Sequence, residues 1–373
     1  MLSETAEVGQ GRVAADSATV DRIVLRTLKL PLFGPYKLSY RTFHEFEPIV
    51  AEVHLADGRV GCGEGHISPG SSKETREGGW RFADDLARVM PGAAAEAAKD
   101  KALAVSARSP VAATALVTAI EMALGDPLLA PAQAIRMPLL TPINATAPDA
   151  VAAEIEDWLA QGFRTFKVKV GKSAPDDLAR VKVIQSAVAG RATLRLDANR
   201  GFDREQALAF VRGLDPAMIE LFEQPCATEA WDDNAAVAAA SPVPLMLDEP
   251  ICSLADVERA ARIPNVGFCK IKLKRFSGLA RLRTALETIR ARGMGAVLGD
   301  GLSSDICCWM EACVGAGVIF GAGECNGFLK TRDHLLSPGL RFADGHVHVE
   351  AGYRPTIDWS AHAHLVTQEV AYA

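Results

Sequence analysis

Seven charged residues, Lys169, Asp197, Glu223, Asp248, Lys272, Asp300 and Glu324, each end a short apolar run, and they recur every 24 to 28 residues. That interval is one strand, one helix and two short loops. If each run is a strand of a (β/α) barrel, all seven side chains converge at one rim. A barrel core alone gives no reason for a charged residue at seven successive strand ends. Asp197, Glu223 and Asp248 stand on consecutive runs and present only carboxylate oxygens. Crowded carboxylates raise one another's pKa and repel unless a cation neutralises them. Hard oxygen donors with no Cys or His suit Mg2+. Any one of these acids could be a helix cap or a surface residue; three in succession argue for a site. Glu249, next to Asp248, points to the other side of its strand or lies in the loop, and is read as a supporting residue bonded to a lysine.

Lysines flank the acids. Lys167 and Lys169 lie on the run before them, and Lys270, Lys272 and Lys274 on the run after. Side chains alternate along a strand, so 167 and 169 share a face, as do 270, 272 and 274. A lysine pointing into a barrel costs desolvation unless its charge is used or its pKa falls. Beside a metal-bound substrate, such a lysine can act as a base. One lysine on each side of the substrate follows.

The elements that must position these residues have a β-α texture. The runs TFKVKV, TLRLD, IELFE, PLMLDE, VGFCKIKL, GAVLGD and VIFGAGE alternate with amphipathic stretches such as DDLARVKVIQSAVAG. With MPLLTPIN before them they make eight strands, an α/β TIM-like (β/α) barrel over 136–345. Residues 22–135 read as an α+β capping domain: strand-like IVLRTLKL, a loop GPYKLSYRTFHEFEP, IVAEVHLADGRVGCGEG with a turn at Asp57-Gly58, then helices over 80–126. Residues 1–21 read as a disordered tail, and 346–373 as a segment packing back on the cap, with His346 and His348 structural. Loops 33–47 and 66–80 are expected to close the barrel mouth. The first carries Tyr36, Tyr40, Phe43 and His44 as a candidate substrate wall, with local packing as the alternative; the second, ending at Trp80, reads as a mobile lid.

Composition narrows the partners. The 373 residues carry 40 Lys and Arg against 46 Asp and Glu, a formal charge of -6, without a basic run, which argues against nucleic-acid and anionic-membrane partners. A small-molecule carboxylate substrate and a homo-oligomer are expected. The first residues have neither the basic start nor the apolar core of a signal peptide. Eight cysteines show neither metal-ligand spacing nor the density of a disulfide scaffold, and read as reduced in a cytoplasmic protein.

The set FKVKVG, LRLDANRGF, ELFEQP, LMLDEP, KIKLKRFSGL and GECNG resembles the enolase superfamily, specifically the muconate lactonizing enzyme subgroup of the mandelate racemase/muconate lactonizing enzyme family, over most of the chain. The resemblance implies that Lys169 and Lys272 face each other across the substrate, Lys272 being the lysine followed six residues later by glycine, Gly278. It implies Asp197, Glu223 and Asp248 as Mg2+ ligands, with Lys167, Asn199, Glu249, Asp300 and Glu324 in support. The mandelate racemase subgroup itself would need an Asp on the sixth strand and a His on the seventh, where this chain has Lys272 and Asp300. Dipeptide epimerases of the subgroup show Asp-x-Asp on the eighth strand, and Glu324-Cys325-Asn326 departs from that. The implied activity is Mg2+-dependent abstraction of the α-proton of a carboxylate, giving an enolate that fixed positive charge stabilises. A racemase or epimerase of an amino-acid-like acid is the first expectation; the same hardware serves a dehydratase or a lactonizing cycloisomerase. FKVKV alone would also suit a Schiff-base aldolase, which the acid trio opposes, and the intact lysines and acids oppose a non-enzymatic scaffold.

Overall fold

The computed structural model describes residues 18–37, 41–70 and 73–373. Positions 1–17 of the expected tail lie outside the described residues, as does Tyr40; strand β1 (Val20–Leu28) already begins within the stretch expected to be tail. The remaining cap strands are β2 (Leu30–Lys37), β3 (Thr42–Phe46), β4 (Ile49–Leu55) and β5 (Val60–Gly65). The stretch expected as a loop over 34–48 is therefore largely an antiparallel ribbon, with Tyr36 opposite Phe43. Three helices follow: α1 (Arg76–Ala87), α2 (Ala95–Val105) and α3 (Pro110–Leu124). Trp80 is inside α1; the segment expected to end there gives way at Thr75, whose side chain accepts the Gly78 N–H at 3.0 Å and caps the helix.

The cap core is the seat of α3 on β5. The strand reads VGCGEG, and a Cβ at Gly61, Gly63 or Gly65 would come within 2.2, 2.2 and 2.1 Å of the carbonyls of Ala119, Ala115 and Val111. Glycine at alternate positions of β5 lets the helix backbone rest directly on the strand. Two buried carboxylates then dock the cap on the barrel. Glu64 of β5 accepts from Ser304 N (2.8 Å), Ser304 Oγ (2.6 Å) and Cys307 N (3.1 Å). Glu121 of α3 accepts from Leu279 N at 2.9 Å. Ser304 and Leu279 stand at helix N-termini, where free N–H groups favour a carboxylate.

The stretch MPLLTPIN divides between β6 (Ile135–Pro138), which lies outside the parallel sheet, and β7 (Thr141–Ile143), with which the barrel begins. Then come α4 (Pro148–Ala160), β8 (Thr165–Lys169), α5 (Ala174–Val188), β9 (Thr193–Asp197), α6 (Arg204–Gly213), β10 (Ile219–Glu223), α7 (Trp231–Ala240) and β11 (Leu245–Leu247). The series continues with α8 (Leu254–Ala260), β12 (Val266–Ile271), α9 (Leu273–Phe276), α10 (Leu279–Ala291), β13 (Gly295–Leu298) and α11 (Asp305–Gly315). β7 to β13 form one parallel seven-stranded sheet in sequence order.

The eighth expected strand, VIFGAGE, is not a regular strand. Its end still spans the gap: Gly323 N donates to Pro138 O, Leu140 N to Gly323 O and Glu324 N to Leu298 O, at 2.8, 3.1 and 2.8 Å. Gly321 and Gly323 weaken the pleat, since they leave few side chains to pack. Of the segment after 345, β15 (His346–Val349) pairs with β6 and with β14 (Arg341–Ala343), whereas β16 (Val366–Tyr372) pairs with β1 of the cap. No helix among the described residues is long and apolar enough to cross a membrane.

Candidate active site

Strand register brings the first charged residues side by side. Lys169 is opposite Asp197 across β8 and β9, and Asp197 opposite Glu223 across β9 and β10. Asp248 follows β11 by one residue, its N–H held by Gln224 Oε1 at 3.0 Å. Gln224, Asn199 and Arg200 turn the chain at these strand ends with φ of 37°, 43° and 66°. Left-handed non-glycine residues persist only where the surroundings enforce them, and they cluster at working sites. Asn199 bonds Asp197 Oδ1 through its N–H (2.8 Å) and accepts from Lys169 Nζ at 2.6 Å. Lys169 Nζ also lies 2.6 Å from Asp197 Oδ2.

Beneath them runs a ring of alternating charge. Lys167 Nζ is 2.8 Å from Glu223 Oε2 and 2.8 Å from Glu324 Oε1; Lys270 Nζ is 3.1 Å from Glu223 Oε1 and 2.7 Å from Glu324 Oε2. Lys167 further reaches Asp197 Oδ2 at 2.7 Å, and Lys270 reaches Asp248 Oδ2 at 3.7 Å. All four members are buried. Burial alone would lift Asp197, but Lys167, Lys169 and Lys270 outweigh it and hold its carboxyl at about 2. Glu223 is pushed up to about 7 by burial and by the Asp197 charge.

Two further cations share Asp248. Lys272 Nζ is 3.0 Å from Oδ2, and Arg275 Nη2 is 2.8 Å from Oδ1 while its Nη1 bonds the Asp248 carbonyl. Burial and the Arg275 charge hold the Lys272 ammonium below its usual range. β12 ends at Ile271 and α9 starts at Leu273, so Lys274 comes off a helical turn and does not share a strand face with 270 and 272 as the alternation implied. It still reaches the site, in an ion pair with Asp300. Arg275 and Gln224 escaped the sequence reading although both lie in quoted motifs: their contacts depend on the turns after β12 and β10, which strand alternation does not describe.

Together these groups floor a cavity of about 490 Å³ roofed by the cap through Tyr36, Glu74 and Val111. Lys167, Lys169, Asp197, Asn199, Asp248, Glu249, Lys272, Asp300 and Glu324 all border it; Glu223 is sealed behind. Of the three described members of the expected wall, Tyr36 alone borders the cavity. Phe43 packs against His66 and Phe46, with ring centroids 6.2 and 6.4 Å away, and His44 faces solvent, because alternation along β3 sends them inward to the core and outward. Lys330, which the sequence reading also missed, seats Tyr36: its Nζ lies 4.6 Å from the ring centre and bonds Gly301 O at 3.0 Å and Asn326 Oδ1 at 2.5 Å. Glu249 pairs with Arg200 at 3.2 Å.

The acid trio has the donor chemistry for a hard divalent cation. Glu223 Oε2, Asp248 Oδ1 and Glu249 Oε2 are buried and accept no hydrogen bond of good geometry, although the first two are ion-paired. As arranged, lysine ammoniums lie among the carboxylates, and among the described residues no three acidic, His or Cys side chains are close enough together to hold one ion. The oxygen-only set with spare lone pairs fits Mg2+, and its neighbouring ammoniums would have to share it.

A family profile described as "Enolase C-terminal domain-like" matches residues 150–355. An aromatic dipeptide epimerase of Herpetosiphon aurantiacus is 31% identical over 80% of this chain and 87% of its own length. An L-Lys-D/L-Arg epimerase of Methylococcus capsulatus is 30% identical over 71% of this chain and 79% of its own. The structure of a muconate lactonizing enzyme from Pseudomonas fluorescens superposes with a TM-score of 0.84 at 23% identity, covering 94% of this chain and 100% of that one, a likeness of fold. With the profile, the relatives and the architecture in agreement, the chain belongs to the enolase superfamily, in the muconate lactonizing enzyme subgroup.

Proposed function

We propose that this enzyme is a Mg2+-dependent racemase or epimerase that removes and returns the α-proton of an amino-acid-like carboxylate. The observation that carries the reading is the placement of Lys169 and Lys272 on either side of the acids, one at the end of β8 and the other just after β12, both bordering one cavity. Asp197, Glu223 and Asp248 would hold the ion, whose charge stabilises an enolate. Lys169 serves one face of the α-carbon, oriented by Asn199 and Asp197. Lys272 serves the other, and the burial and Arg275 charge that lower its pKa shift it toward the neutral amine that proton abstraction needs. Lys167 and Lys270 add fixed positive charge beneath the carboxylates.

Epimerase relatives at about 30% identity support this outcome over elimination. In this chain Glu324 is engaged by Lys167 and Lys270, and Asn326 by Lys330, so the amino end of a dipeptide would need another partner. The test is incubation of free, N-acylated and dipeptide α-amino acids in D2O with Mg2+, reading α-deuterium and configuration by NMR. Deuterium uptake with inversion, abolished by EDTA, is expected. Loss of water or ring closure would move the assignment to a dehydratase or cycloisomerase, and turnover undiminished by EDTA would overturn the role of the metal.

A further inference from the structure

Lys270 borders the cavity as Lys169 and Lys272 do, yet the proposed function asks of it only fixed positive charge, and it takes on Glu223 and Glu324 the carboxylate oxygens that Lys167 leaves. It lies on β12 with its side chain inside the barrel, 2% exposed, and touches three carboxylates: Glu324 at 2.7 Å, Glu223 at 3.1 Å and Asp248 at 3.7 Å. Two of the three are the acids assigned to the metal. An ammonium buried there needs a full counter-charge, and Glu324, its neighbour in the ring, supplies it.

We propose that Lys270 is a resident counter-charge that lowers the affinity of the acid trio for a divalent ion and keeps Glu324 from joining it as a fourth ligand. The inference rests on the reading of Asp197, Glu223 and Asp248 as the Mg2+ ligands. The physical argument has two parts. A positive charge within hydrogen-bond distance of a ligand carboxylate repels a divalent ion bound to that carboxylate twice as strongly as a monovalent one, in a site where burial weakens screening by salt and water. The same ammonium occupies Glu324 Oε2, while Lys167 occupies Oε1, so both oxygens of that acid are committed. The pair Lys270 and Glu324 thus keeps the ring neutral while removing one negative charge from the metal's reach. Lys270 is a positioning residue in this account, and its signature is in cation binding.

The test is Mg2+ titration calorimetry on the whole enzyme without substrate, comparing wild type, Lys270→Met, Glu324→Gln and the double variant, with Asp248→Asn as control. Lys270→Met should bind Mg2+ at least about tenfold more tightly than wild type, because the repulsion is removed and Glu324 is released. Glu324→Gln should bind more weakly than wild type. If Lys270→Met alone fails to fold because Glu324 is left unpaired, the same lysine-to-methionine step read on the Glu324→Gln background should still tighten binding. Equal or weaker binding after the lysine is removed, with Asp248→Asn abolishing it, would overturn the role of Lys270 alone. Mg2+ binding that survives Asp248→Asn would overturn the trio as the cation site, and this role with it.

Discussion

Arg275 grips Asp248 twice, through an ion pair of 2.8 Å from Nη2 to Oδ1 and a bond from Nη1 to the carbonyl oxygen of the same residue. The arginine belongs to a four-residue helix that begins immediately after Lys272, so one short turn fixes both the candidate base and the orientation of a candidate metal ligand. Arg275→Met should reduce kcat/KM by about 10- to 100-fold, the usual consequence of losing a partner behind a ligand. Arg275→Lys should recover part of it. Steady-state kinetics at saturating Mg2+ decide the matter, and wild-type values for the methionine variant would contradict it.

The two-lysine mechanism predicts a separation of exchange from turnover. Lys169→Ala and Lys272→Ala should each lower racemisation by about 10²-fold or more, the range of a lost general acid-base group. Each variant should still exchange the α-proton of the one enantiomer whose hydrogen faces the remaining lysine. NMR in D2O on the separate enantiomers reads this directly; exchange of both enantiomers by either variant would sink the assignment.

Stability should fall as pH rises from about 5 to 8. Glu121 is raised from its ordinary 4.5 to about 7 by burial under the barrel helix it caps. The folded chain therefore holds this proton more tightly than the unfolded chain. Its contribution is fully present below about 4.5 and is lost as pH passes through about 7. Glu121→Gln keeps an oxygen for Leu279 N and removes the titration, so its thermal midpoint should fall less between pH 5.5 and 8 than that of wild type. A shift of this size amounts to roughly 3 kcal/mol at most. Parallel melting curves for the two proteins would refute it.

Gly63→Ala tests the seat of α3. The added methyl would stand 2.2 Å from Ala115 O, backbone that can yield only if the helix lifts from the strand. Overpacking of this kind should cost about 1–3 kcal/mol in urea unfolding. An unchanged midpoint would mean that the cap is more plastic than its packing implies.

Much of the site is written in the chain because a (β/α) unit has a narrow length. A charged residue at the end of each of several apolar runs, 24 to 28 residues apart, must arrive at the same rim, and neighbouring strands must set Lys169, Asp197 and Glu223 side by side. What strand period cannot express was left to the tertiary structure. Turns after strands decided where Lys274, Arg275 and Gln224 point. Cross-ring contacts, which join residues 47 to 157 positions apart among Lys167, Glu223, Lys270 and Glu324, decided that the lysines and acids close into a neutral ring. The ribbon's register decided that Tyr36 faces the cavity while Phe43 enters the core and His44 meets solvent. Local sequence sets the period of an element; which face meets a partner, and which charge meets its opposite, is set by elements distant in the chain, whose packing is a property of the whole fold.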